Sequence, residues 1–458
     1  MRILTGSICK KALIALLATW ALQPVLSWAA DESANISDSA APLKPTEVAG
    51  WNLYGQGTFV EQYHPAFTAP YSGPNSLSAG DSNKETADLT LLLGHRLWDG
   101  AEFWANPELD QGFGLSNTLG VAGFTSGEAY KIGAHRPYIR LPRLFVRQVF
   151  SLGGETQAIS AGPNQMAGNA AANNIIVTLG KFSVVDIFDT NSYAHDPRGD
   201  FFNWSVVDGG AFDYAADAWG FTNGVAVEWT QASWTLRGGI FQMSAEPNAK
   251  VSGVHFHQFS SVIEVEQRHE WLGHPGKVKV LAFANRADMA SYDDAVALGQ
   301  ATHSTPDASR IRRYATNPGA VLNIEQELAA NVGAFARVSA NSGKKEAYEF
   351  TEINRSLSSG MALQGALWGR SDDKLGVAGV INALSSEAKR YFSAGGMGIL
   401  IGDGQLHYAP EKILEMYYAL HLIDKWVLTA DYQRVINPAY NQDRGPVSVY
   451  GLRLHADF

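Results

Sequence analysis

The sequence predicts an all-β protein, a transmembrane antiparallel β-barrel of about 16 to 18 strands with one inward-folded constriction loop. Three observations predict this fold. Apolar and polar residues alternate with period two along many segments, and the connections between those segments alternate between short and long. Aromatic residues cluster near the segment ends. After residue 30 no run approaches the roughly 20 apolar residues of a membrane-spanning helix.

Length and composition narrow the class of protein. The 458 residues are 46% hydrophobic and 17% charged, which suits a large core or one wide barrel and excludes disorder. The one cysteine is Cys9, so disulfides, cysteine-ligated zinc and a thiol nucleophile are not available to the rest of the chain. A formal net charge of -10 without a basic block argues against nucleic acid and leaves cations or neutral solutes as partners.

The N-terminus has the pattern of an export signal. Basic residues precede an apolar run from Ala12 to Leu26, and small residues up to Ala29 mark the predicted cleavage site. Because the signal holds basic but no acidic residues, the mature chain is more acidic than its precursor. A polar stretch rich in Ser, Ala and Pro follows. We expect three segments: a signal peptide at 1–29, a flexible periplasmic leader at 30–50 and an outer-membrane β-barrel domain at 51–458.

The alternation is clearest in the last segment of the chain. Tyr450, Leu452 and Leu454 fall on one face of a strand, whereas Arg453 and His455 fall on the other. A soluble sandwich also alternates, with its apolar face inward, so alternation alone does not fix the direction. The same division recurs in three earlier segments, at 263–268, 277–282 and 425–433.

Connections of alternating length help to fix the direction. Tight turns are predicted at Asp99-Gly100, Gln231-Ala232, Ser358-Ser359-Gly360 and Ile423-Asp424. Long polar connections are predicted at 285–318 and 436–446. Transmembrane barrels have short periplasmic turns and long outer loops, so this asymmetry favours a membrane barrel over a soluble all-β protein.

Aromatic residues and the last residue point the same way. The aromatics predicted to form girdles at the two membrane interfaces are Trp51, Tyr54, Trp98, Trp229, Trp234, Trp368, Tyr391, Tyr417, Tyr418 and Trp426. Phe458 ends an alternating strand, as expected of a Gram-negative outer-membrane barrel that engages the barrel assembly machinery through this residue. Candidate strands number about 16 to 18, and the lumen of a barrel this wide holds water. The sequence therefore predicts a channel surrounded by outer-membrane lipid.

Four segments resemble the carbohydrate-selective porin family. They are residues 51–60, 106–124, 179–204 and 210–220, and the likeness spans nearly the whole mature chain. Its most specific part runs from Gly180 to Arg198. The resemblance implies a single-chain outer-membrane barrel of 16 strands that passes sugars passively. A homotrimer is expected by analogy with porins of this size.

Other functions remain open at this point. Residues 61–67 and 106–124 also resemble the high-affinity manganese porins, so a divalent-cation channel is the alternative within the class. An outer-membrane hydrolase would need a converging Ser, His and Asp set, and the sequence has no G-x-S-x-G pattern to support one. A secreted binding protein is disfavoured by the terminal Phe458 and the absence of internal repeats. No enzyme activity, cofactor or metal site is predicted.

The segment from Ser183 to Trp219 is the predicted constriction, because it combines many aspartates with more aromatics than a surface loop needs. The residues predicted to line it and bind solute are Asp186, Asp189, Asn191, Asp196, Arg198, Asp200, Trp204, Asp213, Asp217 and Trp219. Carboxylates, amides and aromatic faces suit sugars, and rings of carboxylates suit divalent cations. Turn capping and pairing with wall arginines is the structural interpretation of the same aspartates.

Three further groups of residues are candidates. A second loop, from Glu108 to Arg140, is predicted as a lid or a latch between subunits. Its candidate residues are Glu108, Asp110, Glu128, Lys131, His135 and Arg136. His255 and His257 are expected in an exposed lumen or loop position rather than as metal ligands. A charged ladder predicted to line the lumen comprises Glu264, Glu266 and Arg268 opposite Lys277 and Lys279.

Overall fold

The computed structural model describes residues 50–129 and 133–458. The predicted signal peptide, the leader up to residue 49 and Lys131 lie outside these residues. The described chain forms strands β1 (Trp51–His64), β2 (Ser82–Trp98), β3 (Ala101–Gly112), β4 (Ala134–Ile159), β5 (Gly168–Phe182), β6 (Thr222–Gln231), β7 (Trp234–Gln242), β8 (Phe259–Trp271), β9 (His274–Met289), β10 (Arg313–Ala329), β11 (Val332–Asn341), β12 (Arg355–Gln364), β13 (Lys374–Ala383), β14 (Glu411–Ile423), β15 (Trp426–Ile436) and β16 (Val447–Asp457).

These strands make one closed antiparallel barrel. Each strand pairs with its neighbours in sequence, and β16 pairs with β1 from Tyr63 opposite Tyr450 to Gln56 opposite Asp457. Gly55 and Phe458 exchange two backbone hydrogen bonds of 2.9 Å at the end of this seam. The predicted barrel and its count of 16 strands are confirmed, and the upper count of 18 is wrong.

The apolar face of each strand points outward. On β8, Ile263 and Val265 are 53% and 48% exposed, whereas Glu264 and Glu266 are 1% and 4% exposed. On β16, Arg453 lies on the inward face and is buried. Backbone polar groups of a closed barrel are satisfied between strands, so such an apolar outer face can contact lipid. The alternation seen in the sequence therefore has its polar side in the lumen.

Long and short connections lie at opposite ends of the barrel. The outer end carries eight long loops, named L1 to L8, at 65–81, 113–133, 183–221, 243–258, 290–312, 342–354, 384–410 and 437–446. The inner end, where β1 begins and β16 ends, carries the shorter turns. By the usual asymmetry of such barrels, the inner end faces the periplasm.

Two of the predicted connections need correction. Ser358-Ser359-Gly360 lies inside β12 and is not a turn. Small luminal residues on this strand make room for L3, because a side chain added at Gly210 of L3 would meet the Ser356 hydroxyl at 2.7 Å. The predicted connection at 285–318 is shorter than expected, because both of its ends belong to β9 and β10.

The aromatic girdle is only partly as predicted. Trp51, Trp98 and Trp229 are more than 40% exposed on the outer surface. Tyr417 and Tyr391 are each 1% exposed and pack inside, so their assignment to the girdles is wrong.

The described chain has three α-helices, α1 (Trp204–Val207), α2 (Tyr292–Thr302) and α3 (Ser386–Ser393). None of the described helices is long and apolar enough to cross a membrane.

Candidate pore constriction

L3 folds into the lumen and is held there by carboxylates of the barrel wall. Glu264 on β8 accepts the Asp189 backbone N–H at 2.8 Å. Glu325 on β10 accepts the Ser192 N–H at 2.8 Å, and Glu415 on β14 accepts the Phe202 N–H at 2.5 Å. Wall residues on three separate strands thus bind one loop, which confirms the predicted inward-folded loop.

Asp189 is an anchor inside this loop. Its side chain is fully buried, and its backbone has a positive φ of 55° at a point where the loop turns. Its carboxylate accepts hydrogen bonds from the Gly209 N–H at 2.6 Å, from Asn323 Nδ2 at 2.7 Å and from Arg337 Nε at 3.2 Å. With its oxygens bound to three protein donors, Asp189 holds the loop together and does not face the solute path.

Other predicted residues of L3 also serve its internal structure. Asn191 donates to the Asn323 side chain at 2.8 Å. Asp213 is 1% exposed and accepts the backbone N–H groups of two L6 residues at 2.8 and 3.0 Å. Asp200 contacts Lys374 on β13. The structural interpretation of the aspartates therefore applies to these positions.

Arg198 joins L3 to β2, β3 and L2. Its guanidinium lies 3.4 Å from Glu108, 3.3 Å from Glu128 and 3.7 Å from Asp88. Asp196 accepts the Arg198 backbone N–H at 2.9 Å. Burial alone would raise the pKa of Asp196, but the nearby Arg198 charge and this hydrogen bond lower it overall. The two predicted residues thus belong to a charged cluster that ties L3 to β2, β3 and L2.

Trp204 is a core residue and offers no open ring face. It is 8% exposed, stacks on Phe124 at 5.2 Å and meets Phe350 edge-on at 4.8 Å. It begins α1, whose N-cap is Asn203. A ring packed in this way has no free face, so the structure gives Trp204 a packing role in L3.

One charged pair beside L3 keeps partial contact with water. Asp186 makes two hydrogen bonds to Arg143, at 2.8 and 2.6 Å, with side chains 27% and 16% exposed. Asp217 lies 3.3 Å from Lys181, but it is 1% exposed and accepts the backbone N–H groups of Trp219 and Phe221 at 3.0 and 3.2 Å. The Arg143–Asp186 pair is therefore the candidate lining, and Asp217 serves the internal structure of L3.

Trp219 lies beside this lining at the end of L3. It is partly exposed, and its Nε1 donates to the Tyr138 hydroxyl at 3.1 Å. The cations of Lys250 and Arg140 lie 4.8 and 5.8 Å from its ring. Of the two predicted tryptophans, Trp219 is therefore the one that keeps partial exposure.

The predicted second loop is mostly strand. Glu108 and Asp110 lie on β3 and both contact Arg140 on β4. Arg136 lies on β4, and Glu128 is the predicted residue that belongs to L2. Burial raises the pKa of Glu128, while the Arg198 charge acts in the opposite direction. The segment was predicted as a loop because the glycine-rich connection between β3 and β4 obscures the end of β3 and the start of β4 in the sequence.

The described part of L2 also lies inside the barrel. Glu411 on β14 accepts the Ala122 and Gly123 N–H groups at 3.0 and 2.8 Å. Gln62 on β1 donates to the Thr125 carbonyl at 2.7 Å. These luminal contacts do not fit the predicted latch between subunits, which would need the loop outside the wall.

The predicted charged ladder is present, with one cation that was not predicted. Arg237 on β7 lies 2.7 Å from Glu264 and 3.0 Å from Glu266, between the carboxylates. Lys277 pairs with Glu325 at 2.7 Å.

His255 and His257 lie on exposed L4. No group of three or more His, Cys, Asp or Glu side chains in the described residues is arranged to hold a metal.

The basic residues of β4 were not predicted from the sequence. Arg140, Arg143 and Arg147 project into the lumen, whereas Lys181 on β5 is paired with Leu144, which is exposed on the outer face. The signal that could have found the arginines is their spacing through residues 140–147, where Arg143 and Arg147 share a face with Phe145.

Comparison with known proteins supports the same architecture. The sequence pattern of the carbohydrate-selective porin, OprB family, matches residues 75–458. The high-pH structure of Pseudomonas putida OprB superposes with a TM-score of 0.69 at 15% identity, covering 89% of this chain and 94% of that one. The outer-membrane channel DcaP of Acinetobacter baumannii gives a TM-score of 0.49 at 11% identity, covering 91% of this chain and 100% of that one.

No curated protein matches the chain. At 15% identity the likeness to the Pseudomonas putida structure shows the fold alone, whereas the family match extends over most of the barrel. A closed barrel with an apolar outer face and a loop anchored in its lumen fits that match. The chain belongs to the carbohydrate-selective porin, OprB family, and is an outer-membrane channel.

Proposed function

We propose that the protein is a passive channel for carbohydrates, with its solute contacts at Trp219 and at the Arg143–Asp186 pair. The observation that carries the proposal is the combination of a partly exposed indole with a partly exposed cation and carboxylate, whose side chains are 16% and 27% exposed. A sugar offers hydroxyl groups that both donate and accept, and an apolar CH face that packs on an aromatic ring. Contacts of this kind are weak enough to release the solute.

The Lys250 side chain is part of this arrangement. It is exposed on L4 and lies over the Trp219 ring, whereas Tyr138 fixes the indole from the wall by a hydrogen bond. A long, flexible lysine can move aside when a sugar ring takes its place. Tyr138 thus fixes the Trp219 indole, whereas Lys250 covers its ring and can move away from it.

The manganese alternative is less well supported by the same residues. A cation filter needs carboxylates directed at the path, since hard oxygen ligands bind divalent ions. The carboxylates of L3 are bound instead to arginine, lysine or backbone N–H groups, as for Asp186, Asp189 and Asp213. A response of the channel current to Mn²⁺ is therefore one of the outcomes that the experiment below distinguishes.

The test is single-channel current of the refolded protein in a planar bilayer, titrated with mono- and disaccharides and separately with Mn²⁺. We expect concentration-dependent block by sugars and a block constant weakened about tenfold in Trp219→Ala, the loss expected for one aromatic contact. Trp229→Phe on the outer surface is the matched control and should leave block unchanged. Current insensitive to sugars but altered by Mn²⁺ would replace this proposal with the cation channel.

A further inference from the structure

The connection between β4 and β5 differs from the rest of the inner end. Strand β3 is paired with β4 only up to Gln148, and β6 is paired with β5 only from Asn174 onward. Residues 149–173 therefore continue past the wall as a two-stranded hairpin. The other inner-end connections have at most nine residues. This segment is named the inner hairpin.

The inner hairpin is bent by two adjacent glycines. Gly153 and Gly154 have φ values of 91° and 93°, which favour glycine because other residues are strained there. The register between β4 and β5 shifts on both sides of Gly153. Bulges of this kind bend a strand pair, so the far end of the hairpin turns away from the direction of the wall.

The tip of the hairpin, residues 160–167, is a tight turn. Gly162 and Gln165 exchange two backbone hydrogen bonds, of 2.9 and 3.0 Å. The Gln165 side chain also donates to the Ser160 carbonyl at 2.8 Å. The tip therefore has its own local structure and can act as one unit.

Luminal side chains of three strands hold this tip by its carbonyl groups. The three bonds are Arg147 Nη2 to the Asn164 oxygen at 2.5 Å, Asn52 Nδ2 to the Gln165 oxygen at 2.9 Å and Arg96 Nη2 to the Ala167 oxygen at 2.5 Å. The donors belong to β4, β1 and β2. The tip thus reaches across β3 and over the opening of the barrel.

Met166 seats the tip inside the opening. It is 3% exposed and belongs to the same buried apolar cluster as Leu92 on β2 and Trp104 on β3. By contrast, residues 150–158 of the hairpin are exposed on both faces. A free hairpin in the periplasm would leave Met166 in water, so burial at the tip alone indicates docking in the mouth.

We propose that the tip of the inner hairpin is a second constriction of the channel, at the periplasmic mouth and separate from L3. It narrows the exit on the side of β1 to β4 and is fixed there by Arg96, Arg147 and Asn52. This inference depends on the protein being a channel and not on which solute passes. A failure of sugar block would therefore leave it untouched.

The first experiment removes the hairpin. Ser151 and Asn174 are paired directly, so replacing residues 152–173 by Asn-Gly closes β4 to β5 with a two-residue turn. In a planar bilayer in simple salt we expect conductance to rise about 1.5- to 3-fold, since a constriction limits the current. Gln157→Ala, at an exposed position of the intact hairpin, is the control and should leave the conductance unchanged. Unchanged conductance in a folded, heat-modifiable variant would overturn the proposal.

The second experiment tests docking without deletion. Met166→Cys and Gln157→Cys are each made with Cys9→Ser and treated with a charged thiol reagent in detergent micelles. We expect Met166→Cys to react at least about tenfold more slowly, because buried positions react through local opening. Adding Arg96→Ala and Arg147→Ala should bring its rate close to that of the exposed Gln157→Cys. Equal rates in the undisturbed barrel would contradict the docked tip.

Discussion

The two ends of the barrel hold inserted segments by different sets of side chains. At the outer end, wall glutamates such as Glu264, Glu325 and Glu411 accept loop N–H groups, and wall arginines such as Arg337 also donate to loop carbonyl groups. At the inner end, Arg96 and Arg147 donate to carbonyl groups of the hairpin tip. Because carboxylates lose their charge in acid and arginine does not, the two ends should respond differently to pH and to substitution.

The largest effect is expected from breaking the buried pair of L3. In Asp189→Ala, Arg337 would remain 1% exposed without its carboxylate, which costs about 3–5 kcal/mol for a buried ion pair. Chemical denaturation in detergent should show this loss of stability, whereas the exposed Asp307→Ala serves as the control and should change little. A loss below about 1 kcal/mol would mean that the lumen relaxes or admits water around Arg337.

The next effect is expected at a wall carboxylate without a salt-bridge partner. Glu411 is fully buried and accepts three backbone N–H groups, those of Ala122, Gly123 and Ala439. Glu411→Gln keeps one acceptor oxygen and should cost about 1–3 kcal/mol, while Glu411→Ala should cost more. Hydrogen exchange should become faster in L2 and L8 and remain unchanged in the inner hairpin. Faster exchange at both ends would remove the distinction between them.

A smaller effect is expected at the inner end. Arg96→Ala removes one charged donor to the tip and should cost about 1 kcal/mol, because the guanidinium is only partly buried. Hydrogen exchange should become faster at Gly162 and Gln165, with L3 unchanged. Arg96→Lys keeps the charge and should restore part of the protection. Protection that survives in Arg96→Ala would show that the other contacts of the tip, from Arg147, Asn52 and Met166, hold it without Arg96.

The smallest effect is a pH dependence confined to the outer end. Burial raises the pKa of Asp208 in L3 well above its usual range, and the Asp189 charge raises it further. His195, 3.7 Å away, has its pKa lowered by burial. A carboxyl group with a raised folded-state pKa stabilises the fold at low pH, and that stability is lost as the pH rises through this pKa.

Asp208→Asn should therefore melt at a higher temperature than the unmodified protein, by a margin that grows from acidic to alkaline pH. The measurement is the apparent melting temperature in detergent at pH 4, 6 and 8. Arg96→Ala, compared over the same range, should show a difference that does not vary with pH. A margin for Asp208→Asn that shrinks toward alkaline pH would contradict the assigned direction.

The sequence predicted the barrel wall well because each luminal or outer position depends on local alternation. Ile263 and Glu264 were assigned to opposite faces correctly for this reason. The predicted inward segment was also correct, since an excess of aromatics such as Phe201 and Phe212 has no use on a hydrated surface. Both predictions depend only on residues that are close together in the sequence.

Roles within the site could not be predicted, because they depend on partners far away in the sequence. Asp189 and Asp186 are similar in the sequence, yet one is bound by Arg337 and Asn323 and the other by Arg143, which is only 16% exposed. The docking of the inner hairpin was hidden for the same reason, since Asn52 is 113 residues from Gln165. Neighbouring residues carry no signal of these contacts.

The seam between Gly55 and Phe458 has a consequence for folding. These residues are about 400 positions apart, and a side chain at Gly55 would collide with the Phe458 ring at 2.0 Å. Hairpins can form early between adjacent strands, but the exposed edges of β1 and β16 remain open to aggregation until they meet. Loss of the last strand would therefore leave a sheet with two unpaired edges rather than a slightly smaller channel.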